Sequence, residues 1–367
     1  MAFEVKVTQG KAGDRGGDVY ELIQDNGDVR AEVWPQWGFN CIKWQVREVD
    51  GSWDDIMFHM PDWESNPVPT RSGQPILFPF PGRLREGRLD FEGKAYQLPL
   101  NEGTKKHAIH GFTPRNPWRV TASGGDADCA FVTGEFNLKK DLPEALPLWP
   151  TDFVFSVTYR LYADKLRVDA RVQNPGPGRL PFGLGYHGYF RLPGTREPDI
   201  GSTVLQANVA EVWEADASNF PTGVRKEPPP ELDFRHPRPL GTTAIDNVFT
   251  KVIGAAVKGS GVFDIVSIDH VFTRVERDAA KPTGLFEIAR LTHPKATGRL
   301  RVLADKSFRE LVLFTPVHHN AVAIEPYTCA ADANNLAARG IDSGWLVLEP
   351  GGEWEGTVEY RWEPTGP

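Results

Sequence analysis

Apolar and polar residues alternate along several segments of this chain, and a period of two is the spacing of a half-buried β-strand. In FVFSVTYRLY the apolar positions share one face: Phe153, Phe155, Val157, Tyr159 and Leu161. In LRVDARVQN the same spacing groups Leu166, Val168, Ala170 and Val172. Because only the residues ADK separate the two runs, we predict a β-hairpin over residues 153–174.

Turn-forming residues support the same fold class. The 367 residues include 36 glycines and 31 prolines without a fixed period, which suits many short strands joined by turns. Further strands are predicted in DVRAEVWP, CIKWQVRE, RLRVLAD, ELVLFTP and EWEGTVEYRWE. Helical periodicity is nearly absent, and only CAADANNLAARG indicates a short turn or helix. We therefore predict an all-β protein whose strands pack as a two-sheet sandwich.

No segment is a convincing domain boundary, so residues 1–367 are predicted to form a single domain with a large core. The stretch 192–240 is the least regular and contains EPPPELDFRHPRP near its end. We interpret this stretch as an elaborated loop region inside that domain.

Charge and cysteine content exclude several classes of function. A net charge of -8 without a basic stripe argues against a nucleic-acid partner. Three cysteines that are far apart in sequence, Cys41, Cys129 and Cys329, favour free thiols in a reducing compartment. No run approaches the roughly 18 apolar residues of a membrane span, and the first residues lack an apolar signal core. We expect a cytoplasmic protein with no membrane partner.

Two histidines lie three residues apart in KKHAIHGFTPRNPW, a segment that cannot be a helix because Pro114 and Pro117 lack amide donors. Residues three apart in an extended segment point to opposite faces. His107 and His110 are therefore expected to have different roles.

Four places combine reactive side chains with a turn or a strand end. They are Arg83 after a Pro-Gly turn, His110 before a glycine, His187 in GLGYHGYF, and Glu325 at the end of an apolar run. Each residue alone is more often structural than functional, so each is only a hypothesis. Compact zinc patterns are missing, and we expect no metal, although ligands assembled from distant loops are the minority alternative.

Taken together, these places belong to an ordered series of segments. The series begins with PILFPFPGRLREGRLDFEGKAYQLPLNEGTKKHAIHGF and NPW, and continues with WPTDFVFSVTYRLYADKLRVDARVQNPG and GYHGYF. It ends with LDFR, AIDNVF and IEPYTCAADANN, and the agreement around these segments covers most of the chain, from about Trp34 to Trp354. In its order and spacing the series resembles the aldose 1-epimerase (galactose mutarotase) family.

The resemblance implies a fold and a set of roles. The fold is a galactose mutarotase-like supersandwich of large antiparallel sheets, with a sugar bound in a cleft on one concave face. Glu325 matches the general base, His187 the general acid, and His110 the second histidine, which contacts the sugar near its ring oxygen. Arg83 and Asp246 match residues that hold sugar hydroxyls, whereas His107 matches none.

The implied reaction suits these side chains. Interconversion of anomers removes the proton of the anomeric hydroxyl and protonates the ring oxygen, and no cofactor or metal is required. A carboxylate can take the first proton, and an imidazolium can give the second. Three aromatic residues are candidates for apolar cover of the sugar: Phe112, Trp149 and Tyr189.

The sequence departs from the family pattern at several positions. Gly82 stands where many mutarotases have Asn, and HGF replaces the frequent HGG. Gly188 stands where Pro is common, and EPYT differs from Glu-Thr-Gln. The HGF…R…W form, which includes Arg115, resembles a bacterial branch that contains hexose-6-phosphate epimerases.

The substrate therefore has alternatives. The first hypothesis is an aldose 1-epimerase acting on a free hexose, and the second is a hexose-6-phosphate 1-epimerase in which Arg115 binds the phosphate. A non-catalytic carbohydrate-binding protein on the same scaffold is a third. A glycoside-cleaving enzyme that uses Asp246 and Glu325 as its carboxylate pair is a fourth. In each case the partner is a sugar or a sugar phosphate.

Overall fold

The computed structural model describes residues 2–25, 27–195, 200–243, 245–252, 254–255, 265–266, 284–318 and 320–365. Strands dominate these ranges, and the α-helices in them are Leu138–Asp141 and Ala333–Ala338. The short 3-10 helices in the same ranges are Pro35–Trp37, Arg85–Gly87, Thr113–Arg115, Pro143–Leu148, Ile200–Ser202 and Pro230–Leu232. No helix among the described residues has both the length and the apolar character needed to cross a membrane. The expected cytoplasmic location stays a prediction.

The first five strands form an antiparallel sheet in chain order. They are Phe3–Ala12, Arg15–Gln24, Val29–Trp34, Asn40–Arg47 and Trp53–Asp55. Three further strand pairs form separate two-stranded sheets. They are Arg83–Leu84 with Ala108–Ile109, Arg88–Phe91 with Lys94–Gln97, and Leu180–Phe182 with Leu346–Leu348.

The largest sheet has 11 strands in the described part of the chain. Its order is Arg119–Gly125, Ala130–Asn137, Val154–Leu161, Lys165–Gln173, Glu353–Pro364, Gly298–Ala304, Phe286–Thr292, Val204–Ala207 and Arg238–Pro239. Gly254–Ala255 joins this sheet beside Phe286–Thr292 and also pairs with Ile265–Val266. The last strand in sequence, Glu353–Pro364, therefore lies in the interior of the sheet.

A second large sheet carries most of the polar cavity described below and has eight described strands. Its order is Pro221–Lys226, Val209–Ala215, Asp246–Val252, Glu310–Phe314, Val322–Tyr327, Gly185–Tyr186 and Ile76–Leu77. Gly188–Phe190 also pairs with Val322–Tyr327.

The core lies where alternating apolar residues of the sheets meet. The predicted hairpin is confirmed, since Val154–Leu161 pairs antiparallel with Lys165–Gln173 and the apolar face of each strand is buried. Phe155 stacks on Phe78 at 4.2 Å between ring centroids, and Phe153 meets Phe78 edge-on at 4.8 Å. Each fully buried phenylalanine contributes about 1.5–3 kcal/mol, so this cluster is a major source of stability.

The all-β fold of large antiparallel sheets is confirmed, and so is the short helix, Ala333–Ala338, within CAADANNLAARG. The interpretation of residues 192–240 as a loop region is wrong. That stretch contains three strands of at least four residues: Val204–Ala207, Val209–Ala215 and Pro221–Lys226. Their alternation is too short and too interrupted to be read as a period of two.

Candidate active site

A cavity of about 180 Å³ lies on one face of the eight-stranded sheet. Four neighbouring strands line it with residues two positions apart, namely Trp213 and Ala215, Asp246 and Val248, Val312 and Phe314, and Glu325 and Tyr327. Side chains two apart on a strand point to the same side of the sheet. The register also places Val312 opposite Glu325. The strand pairing thus brings these side chains from distant parts of the sequence onto one surface.

Loops and short strands complete the wall of the cavity. They contribute Gly82, Arg83, Ile109, His110, His187, Asn219, Pro221, Asn247 and Ala331. His187 separates the short strands Gly185–Tyr186 and Gly188–Phe190, both of which lie beside Val322–Tyr327. The cavity therefore brings together five of the six residues singled out in the sequence: Arg83, His110, His187, Asp246 and Glu325.

Each carboxyl oxygen of Glu325 has its own partner. Oε1 lies 3.3 Å from Nε2 of His187. Oε2 accepts a hydrogen bond of 2.7 Å from the hydroxyl of Tyr327. The Glu325 side chain is 1% exposed and that of His187 is 10% exposed, so the pair is almost completely removed from bulk water.

Burial sets the protonation of this pair. It raises the pKa of Glu325 well above its ordinary value; the hydrogen bond from Tyr327 opposes the rise and the charge of Asp246 adds to it. Burial lowers the pKa of His187 to about 4, because it disfavours the imidazolium. Burial thus favours the uncharged form of each group. Because Oε1 of Glu325 and Nε2 of His187 lie 3.3 Å apart, a single proton can be shared between them.

Aromatic rings fix the plane of the His187 imidazole. Tyr189 stacks on it at 4.7 Å between ring centroids, and the Tyr189 hydroxyl donates to the backbone oxygen of Thr70 at 2.7 Å. Phe314 meets the imidazole edge-on at 6.0 Å, and His110 meets it in the same way at 5.7 Å. These contacts hold Nε2 toward Glu325.

His110 is held as a neutral donor. Its backbone amide donates to the oxygen of Gly82 at 2.9 Å, and the amide of Gly82 donates back to Nδ1 of His110 at 3.2 Å. Because Nδ1 accepts, the ring proton of the neutral imidazole is on Nε2. Burial keeps the pKa of His110 well below its ordinary value, and the charges of His187, Arg115 and Arg83 act in the same direction.

The backbone conformation and the surroundings of residue 82 favour glycine. Its φ is +68°, and a Cβ added there would lie 2.9 Å from the Cβ of Ala331. Glycine adopts this left-handed conformation without strain, and asparagine adopts it more readily than most other residues.

Arg83 and Asp246 are placed at the rim of the cavity. The Nε of Arg83 lies 3.5 Å from Oε1 of Glu102, which holds the guanidinium loosely. Asp246 is exposed and accepts a hydrogen bond of 3.2 Å from Asn219. Surrounding protein nevertheless raises the pKa of Asp246, and the charge of Arg83 opposes that rise. Both side chains can therefore contact a polar ligand.

Arg115 is not among the residues that line the cavity. It ends the 3-10 helix Thr113–Arg115 and is half-buried, and its Nε has no hydrogen-bond partner in the described ranges. Burial lowers the pKa of Arg115, and its charge is close enough to lower that of His110. The sequence prediction that Arg115 binds the ligand therefore has no direct contact with the cavity to support it.

His107 lies outside the cavity, as its spacing from His110 predicts. Its Nδ1 accepts a hydrogen bond of 3.1 Å from the amide of Glu86, and its ring packs edge-on against Phe220 at 4.8 Å. Arg85 also packs on Phe220 and forms an ion pair of 2.6 Å with Asp216. These residues support the turn that carries Asn219 and Pro221 into the cavity wall.

The aromatic lining differs from the expectation. None of Phe112, Trp149 and Tyr189 lines the cavity; Phe112 and Trp149 pack together in the core at 6.0 Å between ring centroids. The lining aromatic residues are Trp213, Phe314 and Tyr327. These three lie on strands of the eight-stranded sheet, and sequence reasoning missed Trp213 and Phe314 because the strand pairing was not known.

Polar and charged side chains also contact Trp213 in the cavity wall. The indole nitrogen of Trp213 donates to Oε2 of the buried Glu310 at 3.0 Å, and Arg225 stacks on the Trp213 ring at 4.3 Å. Asn219, another residue missed in the sequence, has a φ of +60° in its turn. Within the described ranges no group of three or more His, Cys, Asp or Glu side chains could hold a metal ion.

Comparisons with known proteins agree with the sequence resemblance. The chain is 25% identical over 277 residues to the uncharacterized protein YihR of Escherichia coli, covering 75% of this chain and 74% of that protein. It is 26% identical over 238 residues to the galactose mutarotase of Rattus norvegicus, covering 62% of this chain and 64% of that one. The chain thus spans slightly less than two thirds of the rat protein.

Solved structures share the fold. A galactose mutarotase-like protein from Clostridium acetobutylicum superposes with a TM-score of 0.77 at 21% identity over 99% of both chains. A putative aldose 1-epimerase from Escherichia coli gives a TM-score of 0.68 at 19% identity, over 98% of this chain and 100% of that one. The family model for aldose 1-epimerase matches residues 22–361, and the chain therefore belongs to the aldose 1-epimerase family.

Proposed function

We propose that this protein is an aldose 1-epimerase that interconverts the α and β anomers of a hexose by opening and closing the sugar ring. The observation that carries the proposal is the buried Glu325–His187 pair at 3.3 Å in the wall of a polar cavity. His110 lies beside the pair and can donate a hydrogen bond from Nε2 into the same space.

The reaction requires one proton to leave the sugar and one to enter it. The shared proton first moves from Oε1 of Glu325 to Nε2 of His187. The resulting carboxylate takes the proton of the anomeric hydroxyl, the bond between the anomeric carbon and the ring oxygen breaks, and the ring oxygen takes the proton of His187. The aldehyde carbon rotates, and the reverse transfers close the ring on its other face. Each cycle returns both side chains to their starting state.

The remaining residues bind the sugar. His110 donates to the ring oxygen, which carries no hydrogen and can only accept. Arg83 donates to hydroxyl oxygens through its planar guanidinium, and Asp246 accepts from hydroxyls. Trp213 offers a large apolar surface on the same side of the sheet.

A hexose 6-phosphate stays the second candidate substrate through the sequence resemblance around Arg115, although Arg115 does not line the cavity. A carboxylate pair for glycoside cleavage is less well supported. Asp246 is exposed and bonded to Asn219, whereas Glu325 is bonded to His187 and Tyr327, so the two carboxyls are not arranged as an isolated acid and base.

Polarimetry of freshly dissolved glucose, galactose and glucose 6-phosphate tests the proposal. The protein should accelerate mutarotation of at least one of them, and His187→Asn should lower turnover by about 10²–10⁴-fold while the circular dichroism spectrum stays unchanged. Sugar binding in calorimetry without any mutarotation would instead identify a carbohydrate-binding protein.

A further inference from the structure

Tyr327 has no part in the proton transfers described above, yet it is the second partner of the central carboxyl. It lies two residues after Glu325 on the strand Val322–Tyr327, so both side chains emerge on the cavity face of the sheet. Its hydroxyl donates to Oε2 at 2.7 Å, while Oε1 faces His187. The Tyr327 residue is 2% exposed, so water does not compete for this bond.

The hydrogen bond from the Tyr327 hydroxyl differs in strength according to whether Glu325 or His187 carries the shared proton. A hydrogen bond to a carboxylate is roughly twice as strong as one to a neutral acceptor. The bond from Tyr327 is therefore stronger when Glu325 has given the shared proton to His187 than when Glu325 has kept it. Burial and the charge of Asp246 instead favour the form in which Glu325 keeps the proton.

Other titratable and charged groups near the pair do not replace Tyr327. They are Tyr189 beside His187, Asp246 and Glu310 on neighbouring strands, Arg83 and His110 at the cavity wall, and Tyr360 from the other large sheet. Tyr189 donates to Thr70, and Glu310 accepts from Trp213. Among the described residues, Tyr327 is the one whose hydroxyl donates a hydrogen bond to Glu325.

We propose that Tyr327 is a positioning residue that moves the shared proton from Glu325 to His187, so that the carboxylate and the imidazolium are both ready before the sugar ring opens. Its importance for turnover rests on the proposed function, whereas its effect on the location of the proton does not. The step conserves protons, because Oε1 loses the proton that Nε2 gains.

Tyr327→Phe tests the proposal with two readouts. In protein labelled with ¹⁵N at its histidines, the nitrogen shifts of His187 report the imidazolium fraction, which should fall in the variant. In mutarotation assays kcat should drop about 10- to 100-fold, the effect of losing one hydrogen bond to a charged group. The acidic limb of the kcat/KM profile should move to higher pH, because the carboxylate loses a stabilising donor. A purely structural role would lower the rate equally at every pH.

Tyr186→Phe is the matched control. Tyr186 is a fully buried tyrosine next to His187 in the chain, and its hydroxyl has no hydrogen-bond partner in the described ranges. This variant should keep the wild-type pH profile and the wild-type His187 signal. Unchanged His187 shifts and an unmoved acidic limb in Tyr327→Phe would overturn the proposal.

A second substitution covers the case in which Tyr327→Phe does not fold. Replacement of Tyr327 by 3-fluorotyrosine keeps the hydrogen bond and makes the phenol a stronger donor, so the imidazolium fraction should rise and the acidic limb should move to lower pH. An effect of the opposite sign would contradict the inference. If the wild type shows no mutarotation of any sugar, the proposed function fails, and the His187 spectra still decide where the proton is.

Discussion

Glu325→Gln should separate the stability of the protein from its activity. The amide has nearly the shape of the carboxyl, its oxygen can accept from Tyr327, and its NH₂ group can donate to Nε2 of His187. The variant therefore loses the ionisable group and keeps both hydrogen bonds. It also lacks the base, so turnover should fall by about 10²–10⁴-fold, or roughly 2.7–5.4 kcal/mol in activation free energy.

The effect on stability has a definite sign. The pKa of Glu325 is raised in the folded protein, so between the unfolded and the folded pKa the unfolded chain has released a proton that the folded protein retains. In that interval the free energy of unfolding of the wild type falls as pH rises, by about 1.4 kcal/mol per pH unit. From pH 5 to pH 7 the loss is at most about 2.7 kcal/mol. Glutamine does not titrate, so the free energy of unfolding of the variant does not fall in this way between pH 5 and pH 7.

His187 changes the free energy of unfolding with pH in the opposite direction, because its folded pKa of about 4 lies below the unfolded value. Its stabilising contribution is lost as pH falls from about 6.5 toward 4. Both proteins contain His187, so the difference between their unfolding free energies reports Glu325 together with its coupling to His187. With an unfolding entropy of about 2.1 cal/mol/K per residue, 367 residues give about 0.8 kcal/mol/K, and the Tm advantage of the variant should grow by up to about 3 °C.

Scanning calorimetry of both proteins at pH 5 and pH 7, with mutarotation measured on the same samples, checks this reasoning. Glu144→Gln changes an exposed side chain and is the matched control, for which the difference in Tm from the wild type should be the same at both pH values. A Tm difference for Glu325→Gln that does not grow with pH would refute the assignment of Glu325 as a desolvated acid. Retained turnover would refute its role as the base.

Three further predictions concern the surroundings of the site. His110→Ala should lower turnover strongly, whereas His107→Ala should be close to silent in polarimetry; equal losses would contradict their division of roles. Arg115→Ala should reduce kcat/KM for glucose 6-phosphate and not for glucose. If the ratio of these two kcat/KM values is the same as in the wild type, the hypothesis that Arg115 binds a phosphate is excluded. Gly111 has a φ of +66°, and Gly111→Ala places a Cβ 2.2 Å from a backbone oxygen. The left-handed conformation alone costs about 1–2 kcal/mol, so the free energy of unfolding should fall by more than that amount. Gly93→Ala, with a φ of +78° and no atom within 4 Å of the Cβ, is its control in urea denaturation and should show only the conformational loss.

Strands with a long, clean period of two could be predicted from the sequence, because burial of one face is a local property. The pair 153–174 is such a case. The strands within residues 192–240 could not, because Val204–Ala207 offers only four residues of pattern. The position of Val204–Ala207 in its sheet depends on pairing with Phe286–Thr292, which is remote in sequence.

The convergence of Arg83, His110, His187, Asp246 and Glu325 could be predicted only through the ordered family segments. Physical reasoning about each residue alone left it as a hypothesis, since the distance between two side chains depends on strand pairing. Tyr327 carried a local signal that was overlooked, because a residue two positions from Glu325 on a strand must share its face. Trp213 and Asn219 carried no comparable signal.

The interior position of the strand Glu353–Pro364 has a consequence for how the chain folds as it is made. The strand pairs with Lys165–Gln173 on one side and with Gly298–Ala304 on the other, and it leaves the ribosome after both of them. Until then, both neighbours have an open edge that can pair with another chain. Nascent chains that stop before residue 353 are therefore exposed to aggregation at these two edges, and chaperones that shield strand edges should act on this protein until that strand has emerged.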